Sequence, residues 1–210
     1  MLRIFGRRSS NSSIPNSIIW FLTVNDIFIW GGNFIINIFL GLYFSNKLNA
    51  DPIIVIGVGT AVYQVIRAAT QIPIGMLSDK YKSDRDEILM LVIGNFIMGS
   101  SVVSYVFVTE PIHYYIISGM VGLGASLNIV DWRKLFAKNL DKGKEGLDYA
   151  VYDTAMSFSV AVLAVAAGSV ASMGGEEFSY MIAMTGVIMI LSNIWLVLMY
   201  TLNRAKFDKI

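Results

Sequence analysis

The chain has 210 residues, 55% of them hydrophobic and 15% charged, with a net charge of +1 and a mean hydropathy of +0.62. A soluble domain carries about 25% charged residues, so one aqueous core cannot hide this much apolar surface and lipid is the expected solvent. The near-zero net charge gives no attraction to nucleic acid. The absence of cysteine excludes disulfides and cysteine chemistry, and the lone His113 argues against a multi-histidine metal centre, so no cofactor is expected.

Residues 1–16 are polar and basic, and they read as a cytoplasmic segment without a cleavable signal. Six apolar stretches follow, at 17–43, 52–77, 88–108, 111–136, 147–173 and 178–202. Each can cross about 30 Å of hydrocarbon as a helix of about 20 residues. Together they predict a six-helix transmembrane bundle over 17–203, with 204–210 as a tail. The links are short: Ser45 to Asp51, Glu110-Pro111, and Gly174-Gly175-Glu176-Glu177. Links of this length make consecutive helices antiparallel.

The basic residues then set the orientation. Of the 16 lysines and arginines, all but Lys47 and Arg67 fall on one side of this topology. They cluster as Arg3, Arg7 and Arg8, then Lys80, Lys82 and Arg85. The third cluster is Arg133, Lys134, Lys138, Lys142 and Lys144, and the last is Arg204, Lys206 and Lys209. Both termini are therefore expected in the cytoplasm, with the chain a multi-pass protein of the cell inner (plasma) membrane. The compact form suggests a prokaryote.

Polar residues inside the apolar stretches are the candidate site. The first stretch sets Asp26, Trp30, Asn33 and Asn37 on one helical face, and the second repeats Tyr63, Arg67 and Gln71 every fourth residue. Ionisable groups at membrane depth default to function, against the alternative that such groups only bond neighbouring helices. An unpaired Asp26 could carry a proton. The competing reading pairs it permanently with Arg67, whose depth differs by ~5 Å at 1.5 Å per residue.

Near the cytoplasmic end lie Asn128, Asp131 and Trp132 of the fourth stretch and Tyr149, Tyr152, Asp153 and Ser157 of the fifth. Asp131 is expected to accept a bond from Arg85 or Lys82. Asp153 is either a gate or a buried partner for a basic residue. Asn95 and the methionines of the sixth stretch are read as packing.

The order Gly75-x-Leu77-x-Asp79-Lys80, followed by Arg85, resembles the loop between the second and third helices of major facilitator superfamily (MFS) transporters, with Lys82 where the family has a second glycine. Gly119, Gly122 and Gly124 resemble that family's glycine-rich fourth helix, and Gly146 opens a small-residue-rich fifth helix. The resemblance covers about residues 17–203.

It implies an all-α integral membrane fold, one half of the usual twelve-helix architecture, itself a 3+3 inverted repeat. It also implies a secondary transporter of the alternating-access kind, with substrate between two six-helix units and the first and fourth helices lining the cavity. The third and sixth helices are peripheral in such halves. Gly75, Asp79, Lys80, Arg85 and Asp131 would form a cytoplasmic gate, with Asp79 set against the start of another half's fifth helix.

A half-length chain of this kind is expected to work as a parallel homodimer. Its substrate would be a small polar solute, a sugar or an organic anion, with proton-coupled symport as one option. The alternatives are half of a heterodimeric transporter, or a non-transport membrane protein such as an assembly factor, receptor or scaffold. Enzymatic and ATP-driven roles lack their motifs: no Ser–His pair in the membrane and no GxxxxGK[ST] loop.

Overall fold

A computed structural model describes residues 16–45, 47–80, 83–173 and 175–207. The readings placed on 1–15, Lys82, Gly174 and 208–210 lie outside the described residues. Every element among the described residues is helical. We number the long helices α1 (Ser17–Ser45), α2 (Pro52–Ser78), α3 (Asp84–Ser104, ending in a 3₁₀ turn at Tyr105–Phe107), α4 (Pro111–Lys138), α5 (Glu145–Ala171) and α6 (Gly175–Leu191, continued as Asn193–Leu202). A short α7 follows at Arg204–Phe207.

Among the described residues five helices are long and apolar enough to cross a membrane: α1, α2, α3 with its turn, α5 and α6. The 28-residue α4 is not among them, although the sequence reading counts six spans. Its apolar character is diluted by Ser118, Ser126, Asn128 and Asp131, all buried. A helix sheathed by its neighbours does not need an apolar surface all round.

The helix ends follow local chemistry. Asn16 caps α1, its side-chain oxygen accepting from the amides of Ile18 and Ile19 at 3.1 and 3.3 Å. Asp51 caps α2 by accepting from the Ile53 amide at 2.9 Å, with Pro52 in the first turn. Ser83 caps α3, and Asp84, Asp86 and Glu87 occupy its first turn, where the positive end of the helix dipole favours acids. That is why α3 starts ahead of the apolar run that begins at 88.

The helix α4 is the hub, packed between α2 and α3, and α3 packs in turn on α6. Glycines bring the backbones close. A Cβ on Gly94 would lie 2.8 Å from the Gly124 carbonyl, one on Gly186 2.6 Å from that of Gly99, and one on Gly122 2.6 Å from that of Tyr63. Such contacts replace the hydrophobic drive that lipid cannot supply between helices. The third helix is thus central here, against the peripheral place that the resemblance implies.

Apolar clusters sit at both ends of the bundle. One gathers Phe44, Tyr105 and Tyr114, the other Ile18, Leu22, Trp132, Phe136 and Leu196. By contrast, α5 buries only Asp148, Ala167 and Ala171. Its other side presents Phe158 and Val165, and α2 presents Ile53 and Ile72, all more than 70% exposed. Surfaces so apolar need lipid or another protein against them.

Candidate functional site

The helix α1 is not regular. After Asp26 it widens into a π-turn, Ile27–Gly31, and resumes as Gly32–Ser45. Insertions of this kind re-aim side chains and recur at functional sites. Here the turn carries Trp30 and separates Asp26 from Asn33.

Two cavities open on the face shared by α1, α2, α4 and α5. The one nearer the charged end, where Lys134 and Lys138 sit, measures about 580 Å³ and is lined by Asp26, Trp30, Arg67, Asn128, Trp132, Arg133, Tyr149, Tyr152 and Asp153, with Ile129 and Ala137. The other measures about 290 Å³ and is lined by Asn33, Asn37, Thr60, Tyr63, Gln64, Arg67 and Ser118, with Gly59, Tyr105, Tyr114 and Val121. Arg67 lines both, so the two form a groove with one guanidinium at the junction.

The stripe drawn from α1 therefore divides, with Asp26 and Trp30 in the larger cavity and Asn33 and Asn37 in the smaller. Tyr63 lines the smaller cavity, Asn128 and Asp153 the larger, and Gln71 neither.

Asp26 is buried, and its Oδ2 accepts from the Tyr152 hydroxyl at 2.5 Å. Its Oδ1 has no hydrogen-bond partner among the described residues. It does not pair with Arg67, which instead donates to the Tyr63 hydroxyl at 3.3 Å and lies over the Tyr63 ring. That removes the permanent Asp26–Arg67 ion pair left open by the sequence. The helices rotate the two side chains onto different walls, and a tyrosine on α5 reaches the acid first. Tyr152 packs in turn at a tilt on Trp132 and edge-on to Phe136, which fixes the ring that holds Asp26.

Behind the groove runs a buried chain of amides. Trp30 Nε1 donates to Asn128 Oδ1 at 2.9 Å, and Asn128 Nδ2 donates to Asn95 Oδ1 at 2.7 Å. Asn95 Nδ2 then donates to Asn25 Oδ1 at 3.1 Å and Asn193 Oδ1 at 3.0 Å. Asn25 closes the chain on the Ser192 carbonyl at 3.0 Å, where α6 is interrupted. Four helices are tied together with every Asn95 hydrogen-bonding atom used. Asn95, taken from the sequence as packing, is the centre of this network. Its three partners, Asn25, Asn128 and Asn193, are remote in sequence, and no local spacing signals them.

At the charged end Glu87, 1% exposed, accepts from Lys134 at 2.9 Å and Lys138 at 2.6 Å. Lys138 also meets Asp84 at 2.8 Å, and Lys134 donates to the Ser78 carbonyl at 2.6 Å. Partial burial acts to lower the Lys138 pKa, but the hydrogen bonds to Asp84 and Glu87 outweigh it and hold the ammonium above the usual lysine value. Asp131 accepts from the Ser78 hydroxyl at 2.5 Å, not from Arg85. Arg85 lies over the Tyr200 ring of α6, 5.5 Å from its centroid, because the first turn of α3 points it away from α4. Of the other gate candidates, Asp79 is 3.8 Å from Lys134 with an 81% exposed side chain, Lys80 is exposed, and Gly75 has nothing within 4 Å of where a Cβ would stand.

Sequence reasoning missed Gln64, Thr60, Ser118 and Arg133 in the cavity walls. Polar residues at 60, 64, 67 and 71, spaced four, three and four, mark one face of α2 as strongly as the stripe at Tyr63, Arg67 and Gln71, and could have found the first two. Among the described residues no cluster of His, Cys, Asp or Glu is arranged to hold a metal ion.

The model of the Major Facilitator Superfamily matches residues 22–209. No curated protein and no solved structure matches the chain.

Proposed function

The chain belongs to the Major Facilitator Superfamily, and from that premise we propose that it is a secondary transporter moving a small polar solute across the membrane by alternating access. The observation that carries this reading is the groove. Asn37, Gln64, Arg133 and Asp153 are exposed on it, and Asn33, Tyr63 and Arg67 are half-buried, on helices that elsewhere present large apolar side chains such as Ile72, Phe158 and Val165. Lipid is a poor cover for such a face. A second six-helix unit would close it and leave the polar groups lining a central path.

In this reading six helices cross the membrane, α4 among them, with both termini cytoplasmic. The second unit is a parallel copy of the same chain, related by a twofold axis along the membrane normal. Asp79, Gly75 and Gly146 support that arrangement. Asp79 reaches beyond the bundle, and a Cβ on either glycine would meet nothing within 4 Å. A carboxylate set against the first turn of a facing α5 gains roughly 0.3–1 kcal/mol, enough to bias two states without freezing one.

Asp26 is the acid available for proton coupling, being buried with one oxygen held by Tyr152 and the other unpartnered. Asp26→Asn is expected to abolish uptake driven by a proton gradient while leaving solute exchange intact.

The deciding experiment reconstitutes the purified chain in liposomes and follows solute entry, with its mass measured in parallel in lipid nanodiscs. Saturable entry carried by a dimer supports the reading. A stable monomer that passes no solute overturns it in favour of a non-transport role.

A further inference from the structure

We propose that the groove selects a small organic anion, with Arg67 as the residue that binds its carboxylate. This deepens the transporter reading and rests on it for the site's purpose, though not for the binding itself.

Arg67 lies 15 residues from Pro52 and 11 from Ser78 on α2, so it stands near the middle of a helix that rises about 1.5 Å per residue. A guanidinium there is expensive unless an anion or a dense set of acceptors meets it. Among the described residues no carboxylate lies within ion-pair distance of Arg67, in contrast to Lys134 and Lys138, which both pair with Glu87. Its contacts are the Tyr63 hydroxyl and ring, neither of which carries charge. Of the two acids that share the larger cavity with Arg67, Asp26 is bonded to Tyr152 and Asp153 makes no ion pair with it.

The smaller cavity then defines the ligand. Arg67 is the one charged residue lining its roughly 290 Å³. The planar fork of a guanidinium matches the two oxygens of a carboxylate. Asn33, Asn37, Gln64 and Thr60 surround it with neutral donors and acceptors, which suit hydroxyl groups on the remainder of the ligand. A single cation among neutral amides neutralises one carboxylate and leaves no second charge for a cationic ligand. A neutral sugar would satisfy the amides and leave the guanidinium uncompensated.

The test uses the purified full chain in chloride-free buffer. Thermal unfolding is recorded with lactate and succinate, with their neutral isosteres lactamide and succinamide, and with glucose; proteoliposome uptake is measured for the same panel. The acids should raise the unfolding midpoint and the amides should not. Arg67→Gln should weaken acid binding at least tenfold, and Arg67→Lys should weaken it less, because a point charge keeps attraction without the fork. Should Arg67→Gln fail to fold, the Lys variant and the acid-against-amide contrast still decide. Equal stabilisation by acid and amide, no response to either acid, or acid binding unchanged in the variants would overturn the anion site. Saturable glucose uptake indifferent to Arg67 would overturn it and leave transport standing. Arg67-dependent acid binding without uptake would uphold the anion site and defeat the transport reading.

Discussion

The bundle holds two sets of polar side chains at membrane depth, and they are built oppositely. Asn25, Asn95 and Asn128 are fully buried, and each hydrogen-bonds a residue on another helix. On the groove, Asn37 and Gln64 are exposed, and among the described residues Arg67 makes no ion pair and Asp26 keeps an unpartnered oxygen. The first set is finished within the chain and holds α1, α3, α4 and α6 in register. The second is left unfinished by the described residues. Polarity at depth therefore does not by itself mark function; unfilled hydrogen-bonding capacity does.

The closed side should be the easier to break. Gly124→Val sets a Cβ 2.9 Å from the Gly94 carbonyl and from Met98, and backbone cannot yield as a side chain can. The loss should reach the upper end of the ~1–3 kcal/mol typical of overpacking, seen as a collapse of the unfolding midpoint in detergent. A midpoint unchanged by the substitution would mean that α3 and α4 do not meet at this pair.

Asn95→Leu removes three interhelical hydrogen bonds at once. At about 0.6 kcal/mol for each such bond in a membrane protein, the expected cost is about 2 kcal/mol. The double variant with Asn128→Leu should cost less than the sum of the singles, because the two residues share a bond. Strict additivity would show that the amides act singly and that the chain is not one network.

These same residues separate what is legible in the sequence from what is not. Hydropathy and turn chemistry announced an all-helical membrane chain, because the period and length of apolar runs are local properties. The glycines at 119, 122 and 124 resemble the family's glycine-rich fourth helix but do not show which backbones meet there: a Cβ on Gly122 or Gly124 would crowd a neighbouring carbonyl, whereas one on Gly119 would sit at ordinary contact distance. What stayed hidden was rotation. Whether Asp26 meets Arg67 or Tyr152, and whether Asn95 faces lipid or three other amides, depends on how helices far apart in sequence turn toward each other. The π-turn at Ile27–Gly31 compounds this, since it adds a residue to one turn and shifts everything after it. Asp131 shows the same limit: its expected partner Arg85 is near in the loop, but the capped first turn of α3 directs it to Tyr200.

Between the two extremes lies the charged end, where Glu87 is closed over by Lys134 and Lys138 while Asp79 still projects outward. Glu87→Gln keeps an acceptor but loses the charge that both ammonium groups share. About 1 kcal/mol of stability should go. High salt should weaken this contact less than it would an exposed pair, because the acid is buried. A variant as stable as the parent would indicate that the two lysines find Asp84 and Asp131 instead.

The smallest expected effect on stability is the sharpest test of the comparison. Gly75 sits in the loop motif, yet a Cβ there meets nothing within 4 Å. Alanine also suits a helix better than glycine by up to about 1 kcal/mol. Gly75→Ala should therefore leave the isolated bundle as stable as before, or slightly more so. If Gly75 exists to let another six-helix unit approach, the same substitution should lower the dimer fraction in nanodiscs and slow solute entry. Bulkier Gly75→Leu should do both more strongly at unchanged monomer stability. Glycine has no reason within this bundle to stand there, so loss of assembly without loss of folding would place the reason in the partner. Intact dimers and unchanged flux with leucine would mean that the groove is closed from another side.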